Sequence, residues 1–349
     1  MDVARAQPAT ADLTVSVIVP TCNRRSRLER LLLAIDRLPE SRAGLEVVIA
    51  VDGATDGTSE MLQTIQVGYS LRVIEQPNRG PSAARNAALA VATGDVVLFL
   101  DDDVIPTDSV ISEHLRFHRR DARAAVIGPM IAPPDLRLAP WLQWETFIVE
   151  RQYRLLGTGQ LKPSERFFYT GNASVRRELA LAIGGFNERF TRHTDREFAL
   201  RLAELPVTFW FAPDAIVHHE TDRTFATWMG VAYQYGRHAA LFEKGVAPNY
   251  LSEMRQESRE RNVLSRALAR WSVGHPLRRR AVTTLFGWFI TQPAFDHFVR
   301  IKLWLCSALW NVLYWQGAAD MTNLGAGIWR TLDARQHRAG RTETGSRTG

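Results

Sequence analysis

The chain has 349 residues, 46% hydrophobic and 23% charged, with a formal net charge of +6. That balance excludes a disordered or fibrous protein and fits one large or two ordinary domains. Two distant cysteines, Cys22 and Cys306, exclude a disulfide framework or a cysteine metal cluster, while the basic excess fits a polyanion, an anionic bilayer surface or a phosphorylated substrate.

Residues 1–12 carry an acid at Asp2 and no apolar core, so they read as a flexible amino terminus rather than a signal peptide. With a reducing compartment as the default, the expected location is the cytoplasm. Residues 13–19 alternate and are β-branched, which predicts a strand ending at Pro20-Thr21-Cys22-Asn23. A helix over 26–38 puts Leu28, Leu31, Leu32 and Ile35 on one face. A second buried strand, 45–51, runs into Asp52-Gly53, and Asp56-Gly57-Thr58 turns into a helix with Met61, Leu62 and Ile65 inside. A third strand, 71–74, precedes Asn78-Arg79-Gly80-Pro81. The helix that follows, over 82–92, is lined with alanine and so suits a close approach to its neighbour; Arg85 and Asn86 are its exceptions.

Next come five apolar residues, Val96 to Leu100, that stop abruptly at Asp101-Asp102-Asp103. So short and apolar a run reads as a strand buried on both faces. Burying unpaired carboxylates is costly, so the three acids must emerge at the strand's carboxyl end, where open α/β sheets bind ligands. On a locally extended backbone Asp101 and Asp103 point one way and Asp102 the other. The first and third can then share one hard cation, which usually carries substrate phosphates.

The repeated β-α pattern predicts a mostly parallel sheet with helices on both faces. Thr21 and Asn23, Asp52, and the acidic triplet would converge along one rim. No Gly-rich dinucleotide fingerprint and no Walker loop is present, so a nucleotide would be held by another design. Thr107 and Asp108 suggest the capped start of a helix over 107–119, and 124–127 is another strand. Residues 133–168 lose regular period and gain aromatics, which reads as an inserted substrate-side segment. Trp141 and Trp144 there suit stacking on a sugar and core packing equally. Residues 169–175 read as strand or loop, 177–183 as helix, and Gly184-Gly185 as a turn. Asp195 and Glu197 then open a helix, where a carboxylate is commonly a cap. His218 and His219 end a short strand. Neighbours on a strand point oppositely, so at most one reaches a metal; the other reading is a pair bonded to backbone or to Glu220.

After residue 224 the chain reads as helical. The apolar pieces 282–290 and 303–315 are each too short to span a bilayer. Trp288, Trp304, Trp310 and Trp315 among Arg278, Arg279, Arg280, Arg300 and Lys302 suit an interfacial helix as well as a buried helix pair or a homodimer face. No zinc-finger spacing or basic recognition helix is present, so nucleic acid is not an expected partner. Residues 333–349 read as a disordered basic tail.

Four blocks, Val17 to Arg24, Asp52 to Thr58, Asn78 to Asn86, and Asp101 to Asp103, together resemble the family 2 inverting glycosyltransferases with the GT-A fold. The resemblance covers 13–131 and thins toward residue 220. It implies a nucleotide-sugar-binding half at 13–131 and an acceptor-side half of the same GT-A domain at 132–222, with a helical carboxyl-terminal region at 223–332. It also implies roles. Pro20, Thr21 and Asn23 shape the nucleotide pocket, Asp52 holds the base, and Arg85, Asn86, Asp101 and Asp102 line the donor. Asp101 and Asp103, with His218 or His219, bind Mn2+ or Mg2+. Asp195 is the catalytic base, while Gly171, Asn172, Trp141, Trp144 and Glu197 lie toward sugar or acceptor. Val51, Ala54 and Thr194 depart from the family's Asp, Ser and Glu. The expected activity is metal-assisted inverting transfer from a nucleotide-diphosphate sugar, UDP favoured and GDP or dTDP open, to the hydroxyl of a glycan, lipid-linked sugar or small molecule. A nucleotidyltransferase or a non-catalytic nucleotide-sugar-binding protein is the alternative.

Overall fold

A computed structural model describes residues 13–42, 44–248, 250–259 and 262–334. The expected flexible terminus at 1–12 lies outside the described residues, as does the basic tail apart from 333 and 334, which are helical. The described chain falls into two units. One comprises the residues up to Leu136 together with Ile148–Thr221, and the other comprises Arg137–Phe147 and the residues from Asp222 onward.

In the first unit strands and helices alternate: β1 (Val15–Thr21), α1 (Arg25–Asp36), β2 (Glu46–Asp52), α2 (Thr58–Thr64), β3 (Ser70–Gln76), α3 (Pro81–Val91) and β4 (Val96–Leu100). Then follow β5 (Val104–Pro106), α4 (Val110–Arg120), β6 (Ala124–Ile127), β7 (Met130–Ile131), α5 (Pro140–Gly157), β8 (Asn172–Arg176), α6 (Arg177–Ala182), α7 (Thr194–Ala203), β9 (Thr208–Phe211) and β10 (Val217–His219). The main sheet has the order β3-β2-β1-β4-β8-β6-β9, and a second sheet has the order β5-β10-β7. The β1–β2, β2–β3, β1–β4 and β6–β9 pairs are parallel, as expected, but β8 runs antiparallel between β4 and β6.

The apolar runs are continuous because both faces of the sheet are covered. Val96, Leu98 and Leu100 of β4 pack into one cluster with Leu28, Leu31, Leu32 and Ile35 of α1. Val97 and Phe99 pack into the other, with Ala84 and Ala88 of the alanine-lined α3. From β1 the chain winds outward to β2 and β3 and then returns to place β4 on the other side of β1. That reversal opens a crevice at the carboxyl ends of β1 and β4. Because β8 is antiparallel, with Leu100 opposite Asn172, its beginning lies on the same rim.

Three local expectations are corrected. The acidic triplet is not extended: the chain turns at Asp102-Asp103 to form β5, which pairs with β10. The helix expected from Thr107 begins at Val110, since the Thr107 hydroxyl donates to Ile216 O (2.8 Å) instead of capping. Residues 140–157 form an 18-residue helix. Its period is obscured because its apolar side chains serve two cores: Tyr153 stacks on Phe211 in the first unit, and Trp144 packs on Trp228 in the second.

The second unit holds α8 (Phe225–Gly245), α9 (Tyr250–Arg259), α10 (Val263–Ser272), α11 (Pro276–Thr291) and α12 (Val299–Thr322). Helices α8 and α12 approach so closely that a Cβ on Gly236 would collide with Tyr314 O, and one on Gly317 with Tyr233 O. Trp144, Trp228 and Trp310 form an aromatic cluster with centroids 5.2–5.8 Å apart. Trp141 packs on Phe225 (5.3 Å) and donates through Nε1 to Arg223 O (2.8 Å). Both tryptophans expected on the acceptor side are thus committed to this core. Among the described residues no helix is long and apolar enough to cross a membrane.

Candidate functional site

The rim begins where β1 runs out. Pro20 sits opposite Ala50, and the Thr21 hydroxyl donates to Asp102 Oδ2 (2.8 Å). Asn23 adopts a left-handed backbone (φ 53°), and its Oδ1 accepts from Thr55 N (2.7 Å), tying the loop after β1 to the loop after β2. Asp52, buried at the end of β2, accepts from Gln76 Nε2 (2.7 Å), Arg79 N (2.8 Å) and Gly80 N (2.8 Å). Its carboxylate therefore fixes the turn into α3. Gly53 permits that turn to pass: a Cβ there would lie 2.7 Å from Asn78 N.

The three acids are shared among three arginines. Arg24 Nη1 donates to Asp102 Oδ1 (2.8 Å) and Asp103 Oδ2 (2.7 Å), while Arg27 Nη1 lies 3.6 Å from Asp103. Asp101 instead pairs with Arg85 Nη2 (2.7 Å). The turn breaks the strand alternation, so Asp101 and Asp103 pair with different arginines. Burial pushes the Asp102 carboxyl up to about 6 against the pull of Arg24. Burial also acts on Asp103, but the bond to His219 and the charges of His219, Arg24 and Arg27 outweigh it and hold that carboxyl well below the usual range.

His219 Nε2 lies 3.5 Å from Asp103 Oδ1. His218 falls on the other face of β10, and its Nδ1 is buried without a partner among the described residues. No three His, Cys, Asp or Glu side chains gather as a metal cage among the described residues. The Asp103–His219 pair nonetheless supplies one oxygen and one nitrogen at nearly the spacing of neighbouring ligands around a hard divalent ion. These two residues fit such a cation, with its other positions left to water and phosphate oxygens.

Beside Asp101, the Arg85 guanidinium is buried over the Phe186 ring (5.6 Å). Gly171 closes against them: a Cβ would stand 2.9 Å from Asp101 Oδ2. Asp195 is in the first turn of α7, behind His193 in a left-handed conformation (φ 55°). Its Oδ1 accepts only from the adjacent Arg196 N (2.9 Å) among the hydrogen bonds described. Burial raises its pKa; Arg196 N and the Arg85 charge pull it down, and the Asp101 charge pushes it up. Asp195, Arg85 and Asp101 are thus electrostatic neighbours although they lie on three different elements.

Other expected site residues serve as scaffold. Asn86 accepts from Phe186 N (2.7 Å) and donates to Phe186 O (2.8 Å) and Glu188 Oε1 (3.1 Å). Glu197 is buried, accepting from Asn187 and forming a fork with Arg201 (2.7 and 2.8 Å); Arg201 in turn donates to Gly185 O (2.7 Å) and Ile183 O. Both side chains brace the turn at Gly184-Gly185. Asn172 is fully buried: its amide donates to Pro129 O (3.0 Å) and Ala215 O (2.7 Å), and its Oδ1 lies 3.0 Å from His114 Nε2. His114 and His118 both contact Ser174 Oγ at 2.8 Å. Burial lowers His114 to about 4 and His118 to about 3, so both are neutral. Sequence reasoning missed this network, and it missed Arg24 and Arg27 as partners of the acids. The i, i+3 spacing of those arginines just after the first rim was the available signal.

Residues 16–184 match the family model for Glycosyl transferase family 2. The chain is 25% identical over 257 residues to the uncharacterized glycosyltransferase YfnE of Bacillus subtilis (strain 168), a match spanning 60% of this chain and 65% of that protein. It is 28% identical over 233 residues to the pre-mycofactocin glycosyltransferase of Mycobacterium tuberculosis (strain ATCC 25618 / H37Rv), covering 65% of this chain and 47% of the relative. The chain thus spans about half to just under two thirds of these relatives. Its fold is shared with the Pyrobaculum calidifontis mannosyltransferase PcManGT in complex with GDP-Man and Mn2+ (TM-score 0.54, 19% identity, 86% of each chain). It is shared as well with S. aureus TarS 1-349 in complex with UDP-GlcNAc (TM-score 0.53, 18% identity, 89% of this chain and 92% of that one).

Proposed function

From the match of residues 16–184 to the model for Glycosyl transferase family 2, we propose that the protein belongs to that family and transfers a sugar from a nucleotide-diphosphate donor, UDP-sugar favoured, to an acceptor hydroxyl with inversion. The observation that supports this reading is the Arg85–Asp101 pair beside Gly171 on the sheet's carboxyl rim, with Asp195 within electrostatic reach of both.

Asp195 has the environment of a base. Burial makes its charged form a better proton acceptor, and the Arg85 charge offsets part of that rise. Its carboxylate would take the proton of the incoming hydroxyl as oxygen attacks the anomeric carbon. Thr21, Asn23 and Asp52 fix the loops that would shape the nucleotide pocket. Arg24 and Arg27 place positive charge where a diphosphate would lie. Asp103 and His219 would hold Mn2+ or Mg2+, which when bound offsets charge on the departing diphosphate. GDP-Man in one structural neighbour and UDP-GlcNAc in another support a sugar-nucleotide donor.

The exposed face of α11 supports a peripheral membrane contact through the carboxyl-terminal helices. Leu277, Leu285 and Trp288 lie on one stripe flanked by Arg278 and Arg280, the arrangement of an interfacial helix. A homodimer on this face would instead make mass depend on concentration.

Product analysis with a panel of UDP-, GDP- and dTDP-sugars tests the activity. Free nucleoside diphosphate with inverted product supports it, whereas pyrophosphate release points to nucleotidyl transfer. Asp195→Asn is expected to abolish transfer while leaving nucleotide affinity within about twofold, because only a transition-state contact is lost. A fully active variant removes Asp195 from the base role.

A further inference from the structure

The second unit contains a cavity of about 460 Å³, within the range of small-ligand sites. Its wall includes three arginines, Arg255, Arg266 and Arg270, together with Asn311 and Trp329. Arg255 is held in place: its Nη1 donates to Trp329 O (3.1 Å) and its Nη2 pairs with Asp333. Arg270 also reaches Asp333 (3.2 Å). Both guanidiniums lie over the Trp329 ring, at 5.8 and 6.0 Å from its centroid. Asp333 thus meets two of the three arginines on this wall. Arg266 Nε and Trp329 Nε1 are buried N–H donors without an acceptor among the described residues. Leaving such a donor unmet is costly. An acceptor-rich anion would satisfy both the charge and the donors.

We propose that this cavity binds a phosphate monoester. Rigid guanidinium forks match phosphate oxygens, and the Trp329 ring offers a flat wall for the rest of the ligand. Carboxylates fit less well, since a phosphate monoester presents three terminal oxygens to such donors and a carboxylate two. Val263, also on the cavity wall, and its neighbour Leu264 are exposed at 66% and 64%, an apolar margin suited to an alkyl chain carrying that phosphate. The ligand is therefore either a lipid phosphate headgroup or a soluble phosphate ester.

The test uses the full chain and two probes. Glycerol 3-phosphate is titrated by calorimetry, and vesicles of phosphatidylcholine with or without phosphatidic acid are used for co-sedimentation. Saturable binding of either probe, weakened about tenfold or more by Arg266→Gln but not by Arg278→Gln on α11, supports the pocket; which probe binds identifies the source. Arg266→Lys, retaining charge without the fork, restores part of the affinity and serves if the Gln variant fails to fold. No binding of either probe, or equal loss in Arg266→Gln and Arg278→Gln, overturns the assignment. Nucleotide-sugar binding by the same samples is measured separately, so failure here is distinguishable from failure of the transferase reading.

Discussion

Lowering the pH from neutrality should destabilise the first unit before any of its low-pKa carboxylates is protonated, and the cause should be two histidines. His114 and His118 are buried and neutral, facing Ser174 and Asn172, with Glu113, Asp121 and Arg176 as the nearby charges. Their folded values, about 4 and about 3, lie below the ordinary 6.5. Above 6.5 neither state binds the proton. Below it the unfolded chain does and the folded chain does not, so stability falls as pH drops toward those folded values. By pH ~5 each histidine contributes about 2 kcal/mol of loss, about 4 together, at 1.36 kcal/mol per unit. Asp102 opposes this: raised to about 6, it binds its proton earlier in the folded state and returns about 1 kcal/mol. The net loss of about 3 kcal/mol is a large share of a domain's stability. Urea melts followed by circular dichroism between pH 7 and 5 measure it, with a His114→Gln, His118→Gln double variant as reference to cancel other groups. A wild-type slope no steeper than that of the double variant would refute the reasoning.

Three further outcomes are expected. Asp103→Ala and His219→Ala should each weaken Mn2+-dependent nucleotide binding by about tenfold or more, while His218→Ala should not; calorimetric titration with and without Mn2+ decides. Glu197→Gln should cost about 3 kcal/mol in thermal melts by leaving Arg201 partly unpaired. If Glu197 contacts the acceptor instead, the acceptor KM will rise while the melting temperature stays put. Gly236→Val should destabilise the second unit by about 3 kcal/mol, because the side chain meets the Tyr314 carbonyl; an unchanged melting profile would contradict the close helix approach.

Residues 13–131 were readable because local and tertiary signals agree there. Doubly covered strands read as unbroken apolar runs, and a polar residue at each tip marks the rim. What failed to read has particular causes. The acidic triplet was given strand geometry, but β5 begins immediately after it and demands a turn. Helix α5 looked aperiodic because Trp144 and Tyr153 answer to different cores. For Asn172, Asn86 and Glu197 the sequence shows polar side chains next to a rim but not the partners that hold them there. Asp195 was the reverse case. Its position on a helix start suggested a cap, whereas in the fold it accepts little more than its neighbour's N–H and feels Arg85 and Asp101.

The reversed direction of β8 has an evolutionary reach. A parallel strand would deliver its tail to the rim; this one delivers its head, so the rim receives whatever precedes Asn172 in the chain. Insertions or exchanges upstream of Gly171 can therefore remodel the rim beside Asp101 without altering β1, β2 or β4. Change on the β8 side of the rim and constancy on the β1–β2 side can be inherited separately.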